Sequence, residues 1–332
     1  MRSAHSCVPH REWLLTVICY LNRDINIVES EFGIIACEEN TGLVETLAEK
    51  HDERLPGSKM DALPKSRLLR FVERAMMLAR RAVARFSTRY SRKRFTLRQH
   101  VVLLCLKVKK TTTYRDLVDE LIEMPRIRDA LDLDSIPAPS TLCKAFDRLE
   151  MAVWRVLLNV SLADLPLNGV TGIDASGFER AHASAHYTKR TNLTIQQLKT
   201  TLLVDTATNA VLDIHVTTTR KHDTQIAPQV VKRNADAIAV LTGDKGYDDQ
   251  KLRRFAREHS IRPLIKHREF TPLHKAWNER MDADLYHRRN MNETVNAAIK
   301  QKYGAFVRSR VWWKQFRELV LKCVVHNLEL AL

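Results

Sequence analysis

The spacing of apolar residues changes along the chain, and the change falls near Pro166. Between residues 65 and 165, apolar residues recur every three or four positions, which predicts amphipathic helices. We predict that Thr96 and Thr113 cap helices running through 101–106 and 116–122. Ser140 is the predicted start of a further helix over 141–149. The first half of the chain is therefore predicted to be helical.

After Pro166 the pattern becomes one of short runs rich in Val, Ile, Leu and Thr, which predicts strands. The predicted order is three strands, a helix, a strand, a helix capped by Asp248, a short strand and then further helices. The predicted ranges are 170–173, 199–205, 211–218, 225–234, 237–241, 249–259 and 262–265. This order predicts an α/β domain over residues 166–332 that follows a helical domain over residues 60–165.

The helix predicted over 141–149 follows a break at Pro137 and Pro139. Its apolar stripe leaves Thr141, Lys144 and Arg148 on another face. A short helix, a break and a polar-faced second helix favour a helix-turn-helix, in which the second helix enters the major groove of DNA. The alternative is a small helical bundle without DNA contacts, because such stripes occur in any bundle.

Four residues near the carboxyl end share one spacing, Tyr-x2-Arg-x3-Glu-x6-Lys, formed by Tyr286, Arg289, Glu293 and Lys300. At about 100° per residue on a helix, they fall within an arc of roughly 60°. This arc would carry a carboxylate among cationic and phenolic groups. The alternative is that Arg289 and Lys300 belong to a solvated basic face.

Asp174 and Asp244 follow apolar, strand-like segments upstream of this quartet. Together with Glu293 they provide three carboxylates, which are the hard oxygen ligands that Mg²⁺ prefers. Metal-dependent cleavage of a phosphodiester needs such ligands. The alternative for each aspartate alone is a turn or a helix cap.

The quartet, with these two aspartates before it, resembles the DDE transposases of insertion sequences, specifically the insertion-sequence-five-like branch with the Y-R-E-K signature. The resemblance covers roughly residues 60–332. It implies a ribonuclease H-like core, a mixed sheet flanked by helices, preceded by a helical DNA-binding region. It implies that Asp174, Asp244 and Glu293 are catalytic and hold two Mg²⁺ ions, for which Mn²⁺ can substitute.

The same resemblance implies that Tyr286, Arg289 and Lys300 contact DNA near the cleaved end. It also implies double-stranded DNA, both element ends and target, as the partner of a homodimer. The leading hypothesis is a transposase that cuts its element ends and joins the 3′-OH to target DNA. The alternatives are a nuclease of the same fold that does not join strands, and a DNA-binding derivative without catalysis.

Charge supports a nucleic-acid partner. The 332 residues carry a formal net charge of +15 with a pI near 9.7, which favours a polyanionic partner. The cations are concentrated after residue 59: residues 1–59 contain 6 Lys and Arg against 10 Asp and Glu, and residues 60–332 contain 48 against 29. Since the methionine after Met1 is Met60, we expect the functional protein to begin near Met60. The alternative is that 1–59 is a genuine helical extension.

The remaining motifs indicate no further cofactor. The six cysteines show no C-x-x-C pairing, which fits a reducing cytoplasm, where the protein would lie with the nucleoid DNA. The apolar run over 13–21 is shorter than the ~20 residues of a membrane helix. No Walker or GxGxxG loop predicts a nucleotide cofactor. His182 and His186 have zinc-like spacing without the Glu of H-E-x-x-H, and Trp312 and Trp313 suit either base stacking or core packing.

Overall fold

A computed structural model describes residues 63–90, 92–180, 197–219 and 221–332, and its helices and strands follow the predicted order except for an unpredicted short strand at Phe306–Val307. The predictions for residues 1–59 and for Met60, His182 and His186 lie outside the described residues. Residues 70–332 form one compact unit. No helix among the described residues is both long and apolar enough to cross a membrane.

The helical region before the sheet begins with helices whose starts are fixed by local capping. Its helices are α1 (Arg67–Ala82), α2 (Leu97–Lys109), α3 (Tyr114–Ile122), α4 (Pro125–Ala130), α5 (Pro139–Arg148) and α6 (Met151–Val160). Thr96 and Thr113 each form a capping box. In each, the threonine hydroxyl accepts from the backbone N–H of the third helical residue, and the side chain of that residue accepts from the threonine backbone N–H. Both predicted caps are confirmed.

The later part alternates strands and helices around one sheet. Its strands are β1 (Val170–Arg180), β2 (Gln197–Asp205), β3 (Val211–Thr217), β4 (Val240–Gly243), β5 (Arg262–Ile265) and β6 (Phe306–Val307). Its helices are α7 (Asp223–Arg233), α8 (Gln250–Glu258), α9 (Pro272–Glu279), α10 (Ala283–His287), α11 (Asn290–Tyr303) and α12 (Trp312–Leu330).

The sheet is mixed, with the order β3-β2-β1-β4-β5. The pairs β1–β2 and β2–β3 are antiparallel, whereas β4 is parallel to both β1 and β5. β6 pairs in parallel with the end of β1 at Glu179 and Arg180. β1 is the central and longest strand, and it is paired with β2, β4 or β6 along its whole length.

Helices cover both faces of the sheet. Side chains of β1, β2 and β3, including Ile173, Leu203 and Leu212, pack against α7 and α8 in one apolar core. On the other face α11 packs on β1 and β2, and α12 contacts β3. Each β-strand alternates its side chains between these two faces. Asp174 therefore lies on the opposite face from Ile173, toward α11.

The last helix connects the sheet to the preceding helical region. α12 contacts α2, α6 and α11 as well as β3, and it is buried on almost every side. Asn327 is fully buried, and its side chain accepts from Val211 N at 2.9 Å and donates to Val211 O at 2.9 Å. These bonds pair α12 with the backbone of β3 as a neighbouring strand would. The boundary predicted at residues 165/166 lies between α6 and β1 and stays a prediction.

Several predicted boundaries differ from the structure, and three of these differences are informative. β1 extends to Arg180 rather than ending at 173, because residues 174–179 pair with β2 and Arg180 pairs with Val307 of β6, despite the weak strand propensity of this stretch. Residues 235–237 form a 3₁₀ turn, so the strand predicted over 237–241 begins at Val240. Asp249, not Asp248, caps α8, because Asp248 accepts from Arg253 instead.

Candidate active site

Asp174 and Asp244 lie at equivalent points of two adjacent parallel strands. Ile173 of β1 pairs with Gly243 of β4, and each aspartate follows directly. Parallel neighbours in a sheet are about 4.8 Å apart. Asp244 Oδ1 accepts from Gly246 N at 2.8 Å and so begins the turn at Lys245–Tyr247. A Cβ at position 246 would lie 2.9 Å from that oxygen, so the turn needs glycine there.

α11 lies along β1 with its residues in step with those of the strand. Asn292 contacts Gly172, since a Cβ on Gly172 would lie 2.8 Å from Asn292 Nδ2. One helical turn later, Asn296 Nδ2 lies 3.5 Å from Asp174 Oδ2. A further turn along, Lys300 Nζ donates to Ser176 Oγ at 2.6 Å.

This correspondence has a geometric cause. Four helical residues rise about 6.0 Å, and two strand residues advance about 6.6 Å. Every fourth residue of α11 therefore meets every second residue of β1. The helix position of Glu293 is consequently fixed relative to Asp174 by the contacts of its neighbours, Asn292 and Asn296.

Glu293 itself is turned toward solvent. Its side chain is 63% exposed and pairs with Arg289 Nη1 at 3.3 Å, a separation of four residues along the chain. Arg289 is 31% exposed. The predicted proximity of these two residues is present as a direct ion pair.

The quartet does not lie on one uninterrupted α-helix. Tyr286 belongs to α10, and Arg289 directly precedes α11. Arg289 N donates to Tyr286 O, and Asn292 N donates to Arg289 O, which are three-residue turns. Side chains three residues apart superimpose in such turns. The Arg289 guanidinium accordingly lies 5.6 Å from the Tyr286 ring centre.

Tyr286 is buried rather than displayed. It is 6% exposed, and Lys266 Nζ lies 4.6 Å from its ring centre. Burial raises the pKa of the Tyr286 phenol, and the Arg289 charge and hydrogen bond act in the opposite direction. Tyr286 therefore stays neutral and positions Arg289 and Lys266.

Asp174 experiences the opposite influences of burial and nearby cations. The pKa of Asp174 is raised to about 6, mainly by burial and in addition by the negative charges of Asp244 and Glu293. The Ala175 N–H and the Arg289 charge lower it. The three carboxylates are therefore close enough to repel one another, which a divalent cation would relieve.

The donor set fits a hard divalent metal in its chemistry. Asp174 and Asp244 offer carboxylate oxygens, and the buried Asn296 Oδ1 has no hydrogen-bond partner among the described residues. Glu293 is held by Arg289 rather than by these groups. In the described ranges no three His, Cys, Asp or Glu side chains converge closely enough to hold a metal ion together. Glu293 would have to leave Arg289 to join the two aspartates.

The predicted recognition helix is α5, which begins at Pro139, one residue before the predicted Ser140. Lys144 and Arg148 are exposed, and Thr141 is half-buried. Asp147, which lies on the polar face of the same helix, pairs with Lys314 at 2.7 Å. The DNA contacts of Thr141, Lys144 and Arg148 remain predictions.

Trp312 and Trp313 differ in environment. Trp312 is 41% exposed. Trp313 is half-buried, with the Arg317 guanidinium 4.3 Å from its ring centre. The core positions of this helix are filled by Phe316, Val320 and Val324 instead.

Gly172, Ser176, Asn292 and Asn296 also belong to this site, and none of them was predicted from the sequence. A partial signal was present in the sequence. Asn292 and Asn296 are four residues apart around Glu293, and Gly172, Asp174 and Ser176 are every second residue of β1, which places them on one face. The pairing of these two patterns depends on where α11 packs. Neither pattern alone reveals it.

The sheet order is β3-β2-β1-β4-β5, with helices on both faces, one acid within β1 and one directly after β4, and this is the arrangement of a ribonuclease H-like domain. Residues 167–328 match the model of the transposase DDE domain family. The predicted family and fold class are thus confirmed. The family is one of transposition enzymes, and it implies the use of a divalent metal.

Among solved structures, the chain is similar to a cryo-EM structure of the piggyBac transposase synaptic complex with hairpin DNA. The TM-score is 0.41 at 9% sequence identity, covering 80% of this chain and 72% of that chain. No match to the sequence was found among curated proteins.

Proposed function

We propose that this protein is the transposase of an insertion sequence, which binds the terminal inverted repeats as a homodimer, cleaves there and joins the 3′-OH ends to target DNA. The observation that carries the proposal is the position of Asp174 and Asp244 in register on adjacent parallel strands, Asp174 within β1 and Asp244 directly after β4, with Glu293 on the helix packed along β1. The match of residues 167–328 to the model of the transposase DDE domain family supports it.

Asp174, Asp244 and Glu293 would hold the metal, for which we propose Mg²⁺ with Mn²⁺ as a substitute. When bound, two such ions activate the attacking oxygen and stabilise the leaving oxygen of a phosphodiester. The protein's own residues position these ligands. Asn296 contacts Asp174, and the turn at Gly246 fixes Asp244.

Arg289 and Lys300 would bind the phosphates of the substrate strand. Lys300 is half-buried and donates to Ser176, two residues beyond Asp174 on the same face of β1. A cation there would hold a phosphate beside the acids. Buried Tyr286 would act through Arg289 rather than by touching DNA.

The test uses a supercoiled donor plasmid that carries the gene with its own flanking DNA, together with a target plasmid. Asp174→Asn, Asp244→Asn and Glu293→Gln should each abolish cleavage while leaving gel-shift binding of the flanking DNA intact. Asp249→Asn is the matched control: it removes the same charge from a nearby aspartate and keeps a good helix cap.

The products separate the candidate functions. Cleaved ends joined to the target plasmid support the transposase. Cleavage without joining would instead identify a nuclease of the same fold. Binding without Mg²⁺- or Mn²⁺-dependent cleavage by the unmodified protein would identify a non-catalytic DNA-binding derivative.

A further inference from the structure

The segment from the end of α1 to the start of α2 has the densest positive charge in the described part of the chain. Residues 80–98 contain no Asp or Glu. Their eight cations are Arg80, Arg81, Arg85, Arg89, Arg92, Lys93, Arg94 and Arg98. All except Arg98 are exposed. We call the described residues of the connection between the two helices, 83–90 and 92–96, the basic loop.

The basic loop repeats an Arg-aromatic pair three times. The guanidinium lies 5.5 Å from the neighbouring ring centre in Arg85-Phe86 and 4.9 Å in Arg89-Tyr90. In the third pair, Arg94-Phe95, it lies 5.4 Å away. Tyr90 is 82% exposed, so this ring does not serve a protein core. Each ring instead holds a cation at the surface, in the manner of a cation–π pair.

The loop is anchored and closed at its base. Leu97 N donates to Arg85 O at 2.8 Å, which brings its two ends together. Arg94 Nε donates to Ser135 Oγ at 3.2 Å, and Gln99 Nε2 donates to Leu131 O at 2.9 Å. These contacts attach the basic loop to the connection that leads into α5.

The cations of α5 therefore lie close to the basic loop. The pKa of His100, in the first turn of α2, is lowered by burial and then by the charge of Arg148 in α5. The His100 ring also lies 6.0 Å from the Phe95 ring. The exposed Lys144 and Arg148 thus extend the positive surface of the loop.

Few carboxylates compensate this charge. Within the described residues, the ion pairs of the 80–98 segment are confined to Arg81, which contacts Asp164 at 3.3 Å. The pKa of Arg98 is lowered by burial and by the charges of Arg80 and Arg85, so the cations crowd one another. Such crowding opposes folding unless a polyanion supplies the missing negative charge.

We propose that the basic loop is a second DNA-contact surface, which binds the phosphate backbone of duplex DNA beside the stretch that α5 faces. This surface is separate from the site at Asp174, and the choice of DNA as its polyanion rests on the proposed function. Phosphate contacts fix the position of a protein on the duplex but do not read sequence. The loop therefore contributes affinity for any duplex and sets the register of α5.

The test is the triple variant Arg85→Gln, Arg89→Gln, Arg92→Gln in the full chain, measured on a duplex DNA of random sequence across a salt titration. Arg94 is kept because it bonds to Ser135, and Arg98 is kept because its Nε donates to Val83 O at 3.2 Å. The matched control is Lys251→Gln, Arg254→Gln, Arg257→Gln, which removes three exposed cations from α8. Circular dichroism should show that both variants are folded.

Three phosphate contacts at about 0.9 each should lower the slope of log affinity against log salt by about 2.7. This corresponds to an affinity loss of up to roughly 500-fold at 0.1 M salt, shrinking toward 1 M. The α8 control should keep the slope of the unmodified protein. A triple loop variant that binds duplex DNA as tightly as the α8 control would overturn the proposal.

Single-stranded RNA of the same length serves as the competing polyanion. A larger affinity loss for RNA than for duplex DNA would also overturn the proposal. If the unmodified protein fails to cut or join its flanking DNA, yet the loop variant loses duplex affinity as expected, the proposed transposase function is wrong. The proposal that the basic loop contacts duplex DNA is then still supported. If the unmodified protein cuts and joins while the loop variant binds normally, only the loop proposal fails.

Discussion

Arg289 pairs with Glu293 in the structure, and under the proposed function it would pair with a DNA phosphate in the complex. The pair with Glu293 is four residues apart, 3.3 Å long and largely exposed. Exposed pairs of this kind contribute about 0.3–0.5 kcal/mol. The contact with the Tyr286 ring, at 5.6 Å, adds about 0.5–1 kcal/mol.

A charged hydrogen bond to a phosphate contributes more, about 1.5–3 kcal/mol. We therefore expect Arg289→Gln to reduce strand joining roughly 10- to 100-fold, since about 1.4 kcal/mol corresponds to tenfold. The same substitution should lower the free energy of unfolding by only about 1 kcal/mol. Function should fall much further than stability.

Removing Arg289 should also free Glu293 for the metal. Metal binding to Glu293 must break the ion pair with Arg289, which contributes at most about 0.5 kcal/mol. Without that pair, the affinity for Mn²⁺ in the absence of DNA should rise about twofold. Arg288→Gln is the matched control, because Arg288 is exposed and forms no ion pair with a carboxylate among the described residues. Titration calorimetry with Mn²⁺ alone measures the binding, and the donor-plasmid assay measures joining.

Two results would refute this reasoning. If Arg289→Gln joins strands as well as Arg288→Gln does, Arg289 does not bind the substrate. If Arg289→Gln loses several kcal/mol of stability in urea denaturation, the residue is structural.

Three further predictions follow from buried contacts. Gly172→Ala should lower the free energy of unfolding by about 1–3 kcal/mol, because the new Cβ would lie 2.8 Å from Asn292 Nδ2; adding Asn292→Ala should restore part of the loss, and strictly additive urea-denaturation values would contradict the contact. Asn327→Ala should cost about 2–4 kcal/mol, because it leaves Val211 N and O without partners in a fully buried place; a loss below 1 kcal/mol would contradict this. Burial lowers the pKa of Lys322 to about 8, below its unfolded value of 10.5. The unfolded chain therefore binds more protons than the folded protein between these pH values, so the contribution of Lys322 to the free energy of unfolding becomes more favourable as pH rises. The difference in urea stability between the unmodified protein and Lys322→Met should therefore shift toward the unmodified protein by up to about 3 kcal/mol from pH 7 to 10, and an unchanged difference would exclude the shift.

The features that the sequence predicted correctly depend on local interactions. Thr96 and Thr113 cap their helices through residues three positions away, so four residues contain the whole signal. The strand over residues 262–265 is likewise a compact apolar run, and the structure has it at those residues. The Asp248–Asp249 pair shows the limit of this reasoning. Either aspartate could cap α8, and the choice depends on Arg253.

The features that the sequence did not reveal depend on distant partners. Asp174-Ala-Ser-Gly has little strand propensity, yet these residues pair with Leu202 through Lys199 of β2 and extend β1. Strand formation there follows from tertiary context rather than from local preference. In the same way, Asn292 and Asn296 have no recognisable role until α11 lies against β1.

The packing of α11 on β1 explains how the candidate site can be both rigid and adjustable. Gly172 lets Asn292 approach the strand, and this close contact fixes the height at which Asn296 meets Asp174 and Lys300 meets Ser176. A larger residue at 172 would displace the Asn292 side chain and remove the contact that fixes this height. Arg289 lies outside this rigid helix, in the three-residue turns that precede it. Its contact with Glu293 is weak and exposed, so a phosphate can take the guanidinium without disturbing the helix. Binding of DNA would then free the third carboxylate while the backbone that carries it stays in place.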